Sequence, residues 1–213
     1  MPMANLNLFS IVAYIVIVGI VITIHEFSHA WAGHALGDVT AKREGRLTLN
    51  PLAHIDPFLT LLLPIILILV GSPIVFGAAK PVPFNPYAVK YGKFGAAMVA
   101  FAGPLSNFLM AAFVGVYLRF FSLGTAANSI LVGFVLINLG FFVFNMIPIP
   151  PLDGSRLLYA IAPDGLADLM DRFETTGLIG VFFVFFLFFS FLQPVLSGII
   201  NALATLLLGR GVL

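Results

Sequence analysis

One short run contains the residues best suited to metal chemistry in this chain. His25, Glu26 and His29 form a His-Glu-x-x-His pattern inside the apolar stretch 8–36. On a helix, positions i and i+4 lie on one face, one turn apart, so the two imidazoles can hold one metal ion. A glutamate beside the first histidine can take a proton from a water on that metal. The pattern therefore predicts a zinc ion on His25 and His29, with Glu26 as general base.

The apolar setting of this run favours a metal site over simple helix packing. Each ionisable group inside an apolar membrane helix costs at least about 2.5 kcal/mol if it is unpaired. A bound dication would offset that cost. Helix packing alone gives no reason for three ionisable side chains in one apolar helix. The chain contains no cysteine, which excludes thiolate ligands, so a further ligand must be His, Asp or Glu.

Asp153 is the strongest candidate for a third ligand, since catalytic zinc usually has three protein ligands plus water. It follows the apolar run 128–147 in a segment rich in proline. Prolines interrupt helices, and broken helices at membrane depth are tolerated where they line a cavity. Asn145, eight residues earlier, could bond a substrate backbone or help to stabilise an oxyanion. The alternative is a proline-rich turn that simply leaves the membrane.

The elements that must position these residues are membrane helices. The 213 residues are 61% hydrophobic and 9% charged, whereas soluble domains are about half apolar and about a quarter charged. The composition predicts an all-α polytopic membrane protein, because a bilayer span needs about 20 apolar residues. The last apolar run contains Pro194 and is either one kinked helix or two shorter ones. The apolar runs cover residues 8–36, 58–76, 94–121, 128–147 and 177–208.

The polar segments between the runs predict short extended elements. Residues 39–41 and 46–49 have weak strand character. Prolines at 81, 83 and 86 forbid a helix there and favour extended backbone. Because these segments flank the end of the first run, we expect short β-strands near the cytoplasmic side.

The sequence pattern predicts a single domain that covers residues 1–213. Its core spans 7–156, with three transmembrane helices, and one or two further membrane helices lie in 177–208. A polar insert at 162–176 separates these parts.

The proposed ligands restrict how the chain threads the membrane. They must lie at one depth, yet His25 and His29 lie in the C-terminal half of the first run and Asp153 follows the end of the 128–147 run. Both helices must therefore run in the same direction. This requires residues 58–76 to dip into the membrane and return as a re-entrant segment, which suits the Pro64, Gly71 and Pro73 within them.

The basic residues agree with this topology. Only Arg119 clearly lies opposite to the others. The positive-inside rule then places the active-site end at the cytoplasm and the N-terminus outside. The residues on the cytoplasmic side are Lys42, Arg43, Arg46, Lys80, Lys90, Lys93, Arg156 and Arg172.

These motifs resemble the site-2 protease family of intramembrane zinc metalloproteases, specifically the small prokaryotic branch without a PDZ domain. The resemblance is carried by the His25–His29 run, by Gly103-Pro104-Leu105-Ser106-Asn107 and by residues 145–154. It implies one Zn²⁺ per chain on His25, His29 and Asp153, with Glu26 as catalytic base and Asn145 supporting the substrate. Residues 77–79 depart from the branch pattern, which concerns the substrate groove and not the chemistry.

The resemblance also implies the substrates and the location. We expect cleavage of single-pass or membrane-anchored proteins within the prokaryotic cell membrane, and no nucleic-acid partner. A locally unwound substrate could add as a strand along Lys80, Pro81, Val82 and Pro83. Asn107 is assigned to the same substrate-binding group or to support of the catalytic helix, which Gly103 would allow to approach closely.

Two rival functions stay open at this point. A zinc transporter or metal sensor would also place His and Asp in membrane helices, although it gives no reason for a glutamate at position 26. A non-catalytic relative that binds membrane segments is the other. His34 is rotated to the opposite face of the helix, His54 suits a structural role, and Asp56 suits a turn or helix cap. The sequence leaves the substrate and the oligomeric state open.

Overall fold

The chain folds into helices, several of which are long. The computed structural model describes residues 8–62, 66, 79–175 and 177–209. Four of its helical segments are long and apolar enough to cross a membrane, which confirms the all-helical membrane class. The helices are α1 (Leu8–Ala35), α2 (Thr40–Arg43), α3 (Gly92–Phe120), α4 (Thr125–Asn145), α5 (Asp153–Ile161), α6 (Asp164–Thr175) and α7 (Gly177–Leu208), with short 3₁₀ and π-helical turns at Pro51–Ala53 and Pro57–Leu62.

Helix α3 runs antiparallel to α1. His29 contacts the carbonyl of Val99, while Val21, two turns earlier on α1, contacts Asn107 on α3. Residue numbers therefore fall along α3 as they rise along α1.

Helix α4 runs parallel to α1. The ring of Tyr14 packs against Gly133, where an added Cβ would lie 2.9 Å from the tyrosine Cε1. Further along both helices, the rings of His25 and Phe141 are 6.4 Å apart. The C-terminal halves of α1 and α4 thus meet, as a shared metal site requires.

The main apolar core holds α3, α4 and α7 together. Gly115 allows close contact there, because a Cβ on it would lie 2.8 Å from the Cβ of Leu207. Burying this cluster fixes α3 and α4, on which the α1 histidines rest. Its buried members are Ala111, Val135, Leu139, Ala204, Leu207 and Leu208.

The strands predicted at 39–41 and 46–49 do not form. Residues 40–43 are the helix α2, whose first turn is favoured by hydrogen bonds from the Thr40 N–H and hydroxyl to Asp38 Oδ1 at 2.9 and 2.5 Å. Residues 47 and 48 form a bend, residues 46 and 49 have no regular structure, and no strand occurs anywhere in the described ranges. Residues 79–85 are not helical, as their prolines predict. Their backbone groups form hydrogen bonds with side chains and with residues in turns, and not with a second strand.

The predicted re-entrant run 58–76 lies mostly outside the described residues, which omit 63–65 and 67–78. Its first residues form the π-helical turn at Pro57–Leu62. Asp56 caps that turn, since its Oδ1 accepts the Phe58 N–H at 2.8 Å. The prediction of a cap at Asp56 is therefore confirmed.

Two regions after the core are more regular than expected. Helix α7 is a single helix that contains Pro194, which settles the choice between one helix and two. The polar insert 162–176 contains helix α6, whose Ala167 and Met170 are buried one turn apart. The charged composition of the insert concealed this short apolar face.

Candidate metal centre

Three electron-pair donors from two helices converge at the end of α1. His25 and His29 lie one turn apart on α1, and Asp153 is the first residue of α5. The two Nε2 atoms are 3.0 Å apart, and Asp153 Oδ2 lies 3.2 Å from His25 Nε2 and 3.3 Å from His29 Nε2. Tetrahedral zinc with bonds of about 2.0 Å separates its ligand atoms by about 3.3 Å. The spacing fits one zinc ion.

The second nitrogen of each imidazole already has a partner. His29 Nδ1 lies 2.8 Å from the carbonyl of Val99, which can only accept a hydrogen bond. His25 Nδ1 lies 2.6 Å from Asn107 Oδ1. With a proton on each Nδ1, both Nε2 lone pairs face the centre.

The charge distribution at this point calls for a cation. Asp153 Oδ2 is buried and meets no hydrogen-bond donor in good geometry among the described residues. It shares the space with two imidazole lone pairs, and a buried acceptor without a partner is costly. The nitrogen and carboxylate donor set is the kind that zinc prefers. His25, His29 and Asp153 therefore form a group that could bind a metal ion.

Two glycines allow these elements to approach. A Cβ on Gly103 of α3 would lie 2.3 Å from His29 Nε2 and 2.8 Å from His25 Cε1. A Cβ on Gly154 would lie 2.4 Å from the Met146 carbonyl oxygen. Gly103 therefore gives the imidazoles their space, as its predicted role in close helix approach implies. Gly154 lets α5 pack on the turn that presents Asp153.

The side chain of Glu26 extends from α1 to the extended segment 79–85. Its Oε2 accepts the backbone N–H of Val82 at 3.1 Å, and its side chain is 9% exposed. Pro81 and Pro83 on either side have no N–H, so within this triplet only Val82 can donate to the carboxylate.

The segment 79–85 is fixed at both ends by hydrogen bonds. The Lys80 N–H donates to the His54 carbonyl at 2.9 Å, and the Arg46 guanidinium donates to the Lys80 carbonyl. At the other end, the Asn85 N–H donates to Asp38 Oδ2 at 2.8 Å. These contacts place Val82 beside Glu26.

Asp38 is a charged support for this segment. Burial alone would raise the pKa of Asp38, but hydrogen bonds from the Asn85 N–H and from the Thr40 hydroxyl and N–H hold that pKa below its usual value. The carboxylate is therefore ionised near neutral pH and keeps accepting these bonds.

A cavity of about 780 Å³ contains the three metal-binding candidates and Glu26. Asn145 also lines it, and the Asn145 amide donates to the Phe141 carbonyl at 3.0 Å. Many of the other lining residues are apolar. The lining includes Pro81, Val82 and Pro83 from the extended segment and Val18, Ile22, Gly140, Phe141 and Phe144 from α1 and α4.

Not every predicted substrate-binding residue lines the cavity. The Lys80 side chain is exposed, and its backbone takes part in the hydrogen bonds to Arg46 and His54. Asn107 is fully buried against His25. Their roles toward a substrate stay predictions. His54 is fully buried and bonds the Thr48 carbonyl through Nε2 at 2.9 Å, which is a structural arrangement.

The sequence did not reveal one direct partner of the histidines, nor a second residue that bonds the Asn107 partner from behind. The Val99 carbonyl belongs to the backbone and carries no residue-type signal. Asn138 on α4 is fully buried and accepts a hydrogen bond from Asn107 at 3.2 Å. A signal existed for it, since an asparagine inside an apolar span must find a polar partner.

Comparison with known proteins identifies the family. The chain is 39% identical over 181 residues to the "Putative zinc metalloprotease YwhC" of Bacillus subtilis, a match that covers 80% of this chain and 78% of that protein. The chain belongs to the site-2 protease family of zinc metalloproteases. Zn²⁺ is accordingly its cofactor, and the cluster of His25, His29 and Asp153 is suited to hold it.

Mycobacterial relatives in this family are more distant. Proteins named Rip2, from Mycolicibacterium smegmatis and Mycobacterium tuberculosis, carry the same zinc metalloprotease description and are 31% identical over 139 residues. That match covers 63% of this chain and 51% of each relative. No family model and no solved structure matches the chain.

Proposed function

We propose that this protein is an intramembrane endopeptidase that hydrolyses a peptide bond within the transmembrane segment of a single-pass or membrane-anchored protein. The observation that carries the proposal is the placement of Glu26 on the same cavity as His25, His29 and Asp153. This cavity lies among helices long and apolar enough to span a bilayer. The acid-base group, the metal donors and an apolar wall are thus available to one bound segment.

The residues of the chain divide the reaction among them. His25, His29 and Asp153 would hold the zinc ion, which would supply a Lewis acid and a water of lowered pKa when bound. Glu26 accepts a proton from the attacking water while the water oxygen forms a bond to the carbonyl carbon of the substrate. Glu26 then delivers that proton to the amide nitrogen as the C–N bond breaks.

The extended segment is the proposed binding site for the substrate backbone. A peptide bond inside a helix is shielded by the helix's own hydrogen bonds, so the substrate must unwind locally before attack. An unwound stretch can satisfy its backbone by pairing with extended chain. Pro81, Val82 and Pro83 line the cavity beside Glu26. Asn145 also lines the cavity, and its amide supports the substrate backbone.

We propose the orientation from the chain path. The Lys90 N–H donates to the Leu36 carbonyl at 2.9 Å, so residues 37–89 leave and return at the same end of the bundle. Within this connection, the apolar composition of residues 58–76 supports our proposal that they dip into the membrane and return. The positive-inside rule then places the active-site end at the cytoplasmic face of a prokaryotic cell membrane and the N-terminus outside.

The test compares Glu26→Gln with the wild type in liposomes that contain a synthetic transmembrane peptide. We expect the variant to keep its zinc and to cleave at least about 100-fold more slowly, because general acid-base catalysis contributes about that much. Glu44→Gln, the same change at an exposed position on the polar loop, is the matched control and should cleave normally.

The same liposomes separate the rival functions. Undiminished cleavage by Glu26→Gln would refute the mechanism. Zinc flux across the bilayer without cleavage by the wild type would point to a transporter instead.

A further inference from the structure

Helix α4 presents a buried amide to α3 behind the metal centre. Asn138 and Asn107 are both 0% exposed, so water does not reach either side chain. Asn138 Nδ2 donates to the Phe134 carbonyl of its own helix at 2.9 Å. Its Oδ1 accepts a hydrogen bond from Asn107 Nδ2 at 3.2 Å.

The chemistry of the partners fixes the orientation of both amides. A carbonyl only accepts, so Asn138 must turn its NH₂ group to Phe134 and its oxygen to Asn107. Asn107 must then turn its own NH₂ group to Asn138, where it also lies 3.4 Å from the Val21 carbonyl. This leaves Asn107 Oδ1 to face His25 Nδ1 at 2.6 Å.

We infer that Asn138 is a positioning residue for the metal centre, acting through Asn107 to select the His25 tautomer that binds zinc. An oxygen opposite Nδ1 requires a proton on Nδ1, which leaves the Nε2 lone pair free for the metal. With the Asn107 amide reversed, its NH₂ group would face Nδ1 and would favour the proton on Nε2. The inference rests on the proposed zinc site and adds the residue that prepares it.

These hydrogen bonds connect α4, α3 and α1. Both amides are buried, so water cannot take the place of a lost hydrogen-bond partner. Removing the Asn138 oxygen leaves an Asn107 N–H with only the long contact to Val21, and a buried donor without a partner is costly. Partners behind metal ligands typically change metal affinity by about 10–100-fold when they are removed. For Asn138, one bond further out, we expect about tenfold.

The experiment compares three variants with the wild type in the same membrane mimetic. Asn138→Leu removes the acceptor. Asn138→Asp is the conservative variant, since a protonated carboxyl group can donate to Phe134 and accept from Asn107. Val135→Ala removes buried apolar volume from α4 without touching the amides. For each protein, the zinc dissociation constant is measured by competition with a chelator, and ¹⁵N shifts of His25 are recorded without metal.

We expect Asn138→Leu to weaken zinc binding about tenfold and to move the His25 proton from Nδ1 toward Nε2, as read from the nitrogen shifts. Asn138→Asp should restore both values, and Val135→Ala should leave the tautomer unchanged. An unchanged tautomer in Asn138→Leu, or an equal loss of zinc affinity in Val135→Ala, would overturn the inference. Neither readout requires peptide cleavage, so failure of the proposed protease activity would be seen separately in the wild type.

Discussion

At the scale of single residues, the chemistry depends on which nitrogen of each histidine is free. The i and i+4 spacing of His25 and His29 predicts that both rings can reach one metal ion. It does not predict which nitrogen points inward, because that is decided by Val99 and Asn107 on another helix. The ligand residue types could be read from the sequence, whereas their orientation required the packing of α3.

Gly103 gives a direct residue-scale test of this packing. Substitution to alanine would place a Cβ 2.3 Å from His29 Nε2 and 2.6 Å from His29 Cε1, distances that packed atoms do not tolerate. We expect the imidazoles to shift and zinc affinity to fall at least about tenfold. The measurement is zinc content after dialysis against graded chelator concentrations.

The matched control is Gly19→Ala on α1, where an added Cβ meets nothing within 4 Å. It should retain zinc like the wild type. If Gly103→Ala binds zinc as tightly as Gly19→Ala, the packing of α3 against the two histidines is not as described.

At the scale of secondary-structure elements, helices were easier to predict than strands. Apolar runs long enough to span a bilayer could only be helices there. Among the described residues, the predicted runs 8–36, 94–121, 128–147 and 177–208 are helical at nearly the predicted positions. The weak strand signal at 39–41 failed because Asp38 bonds the local backbone and favours the turn of α2. Helix α6 was missed because its apolar face is short and surrounded by charges.

The relative direction of helices could be predicted from chemistry instead of from propensity. His25, His29 and Asp153 can share a metal only if α1 and the helix before Asp153 run in parallel, and the contacts of Tyr14 and Phe141 show that they do. The amino-acid sequence does not directly specify the relative direction of two helices. The prediction followed from the assumption that the three residues share one metal ion.

The absence of native cysteine makes the threading testable by single-cysteine labelling. Lys42→Cys, Ala88→Cys and Ile161→Cys lie at exposed positions near the active-site end, and Ser122→Cys lies at the opposite turn between α3 and α4. We expect a membrane-impermeant thiol reagent to reach the first three from the cytoplasmic side and Ser122→Cys from outside.

Lys42→Cys and Ser122→Cys serve as references for the two faces in this assay. Labelling of Ala88→Cys from the same side as Ser122→Cys would contradict the proposed dip of residues 58–76. The parallel placement of α1 and α4 in the bilayer would be contradicted if Ile161→Cys labelled on that side.

At the scale of the whole molecule, a buried apolar cluster and the metal-binding candidates occupy different parts of the helix bundle. The large apolar cluster lies toward the end of α3 that contains Gly115 and holds α3, α4 and α7 together. The metal-binding candidates, Glu26 and the hydrogen-bonded segment 79–85 lie at the other end. The first region gives the rigidity that a metal centre needs, and the second leaves a cavity for a substrate segment.

The proposed activity is zinc-dependent cleavage inside a membrane segment, with one metal ion per chain. Its most direct test strips the purified protein of metal, reconstitutes it with a synthetic transmembrane peptide and returns zinc stepwise. Mass spectrometry identifies the products, and the metal content is measured in the same samples. We predict no cleavage without metal, full recovery at about one zinc per chain, and a cut within the apolar stretch of the peptide. Cleavage that persists in verified metal-free protein would exclude a zinc-dependent mechanism.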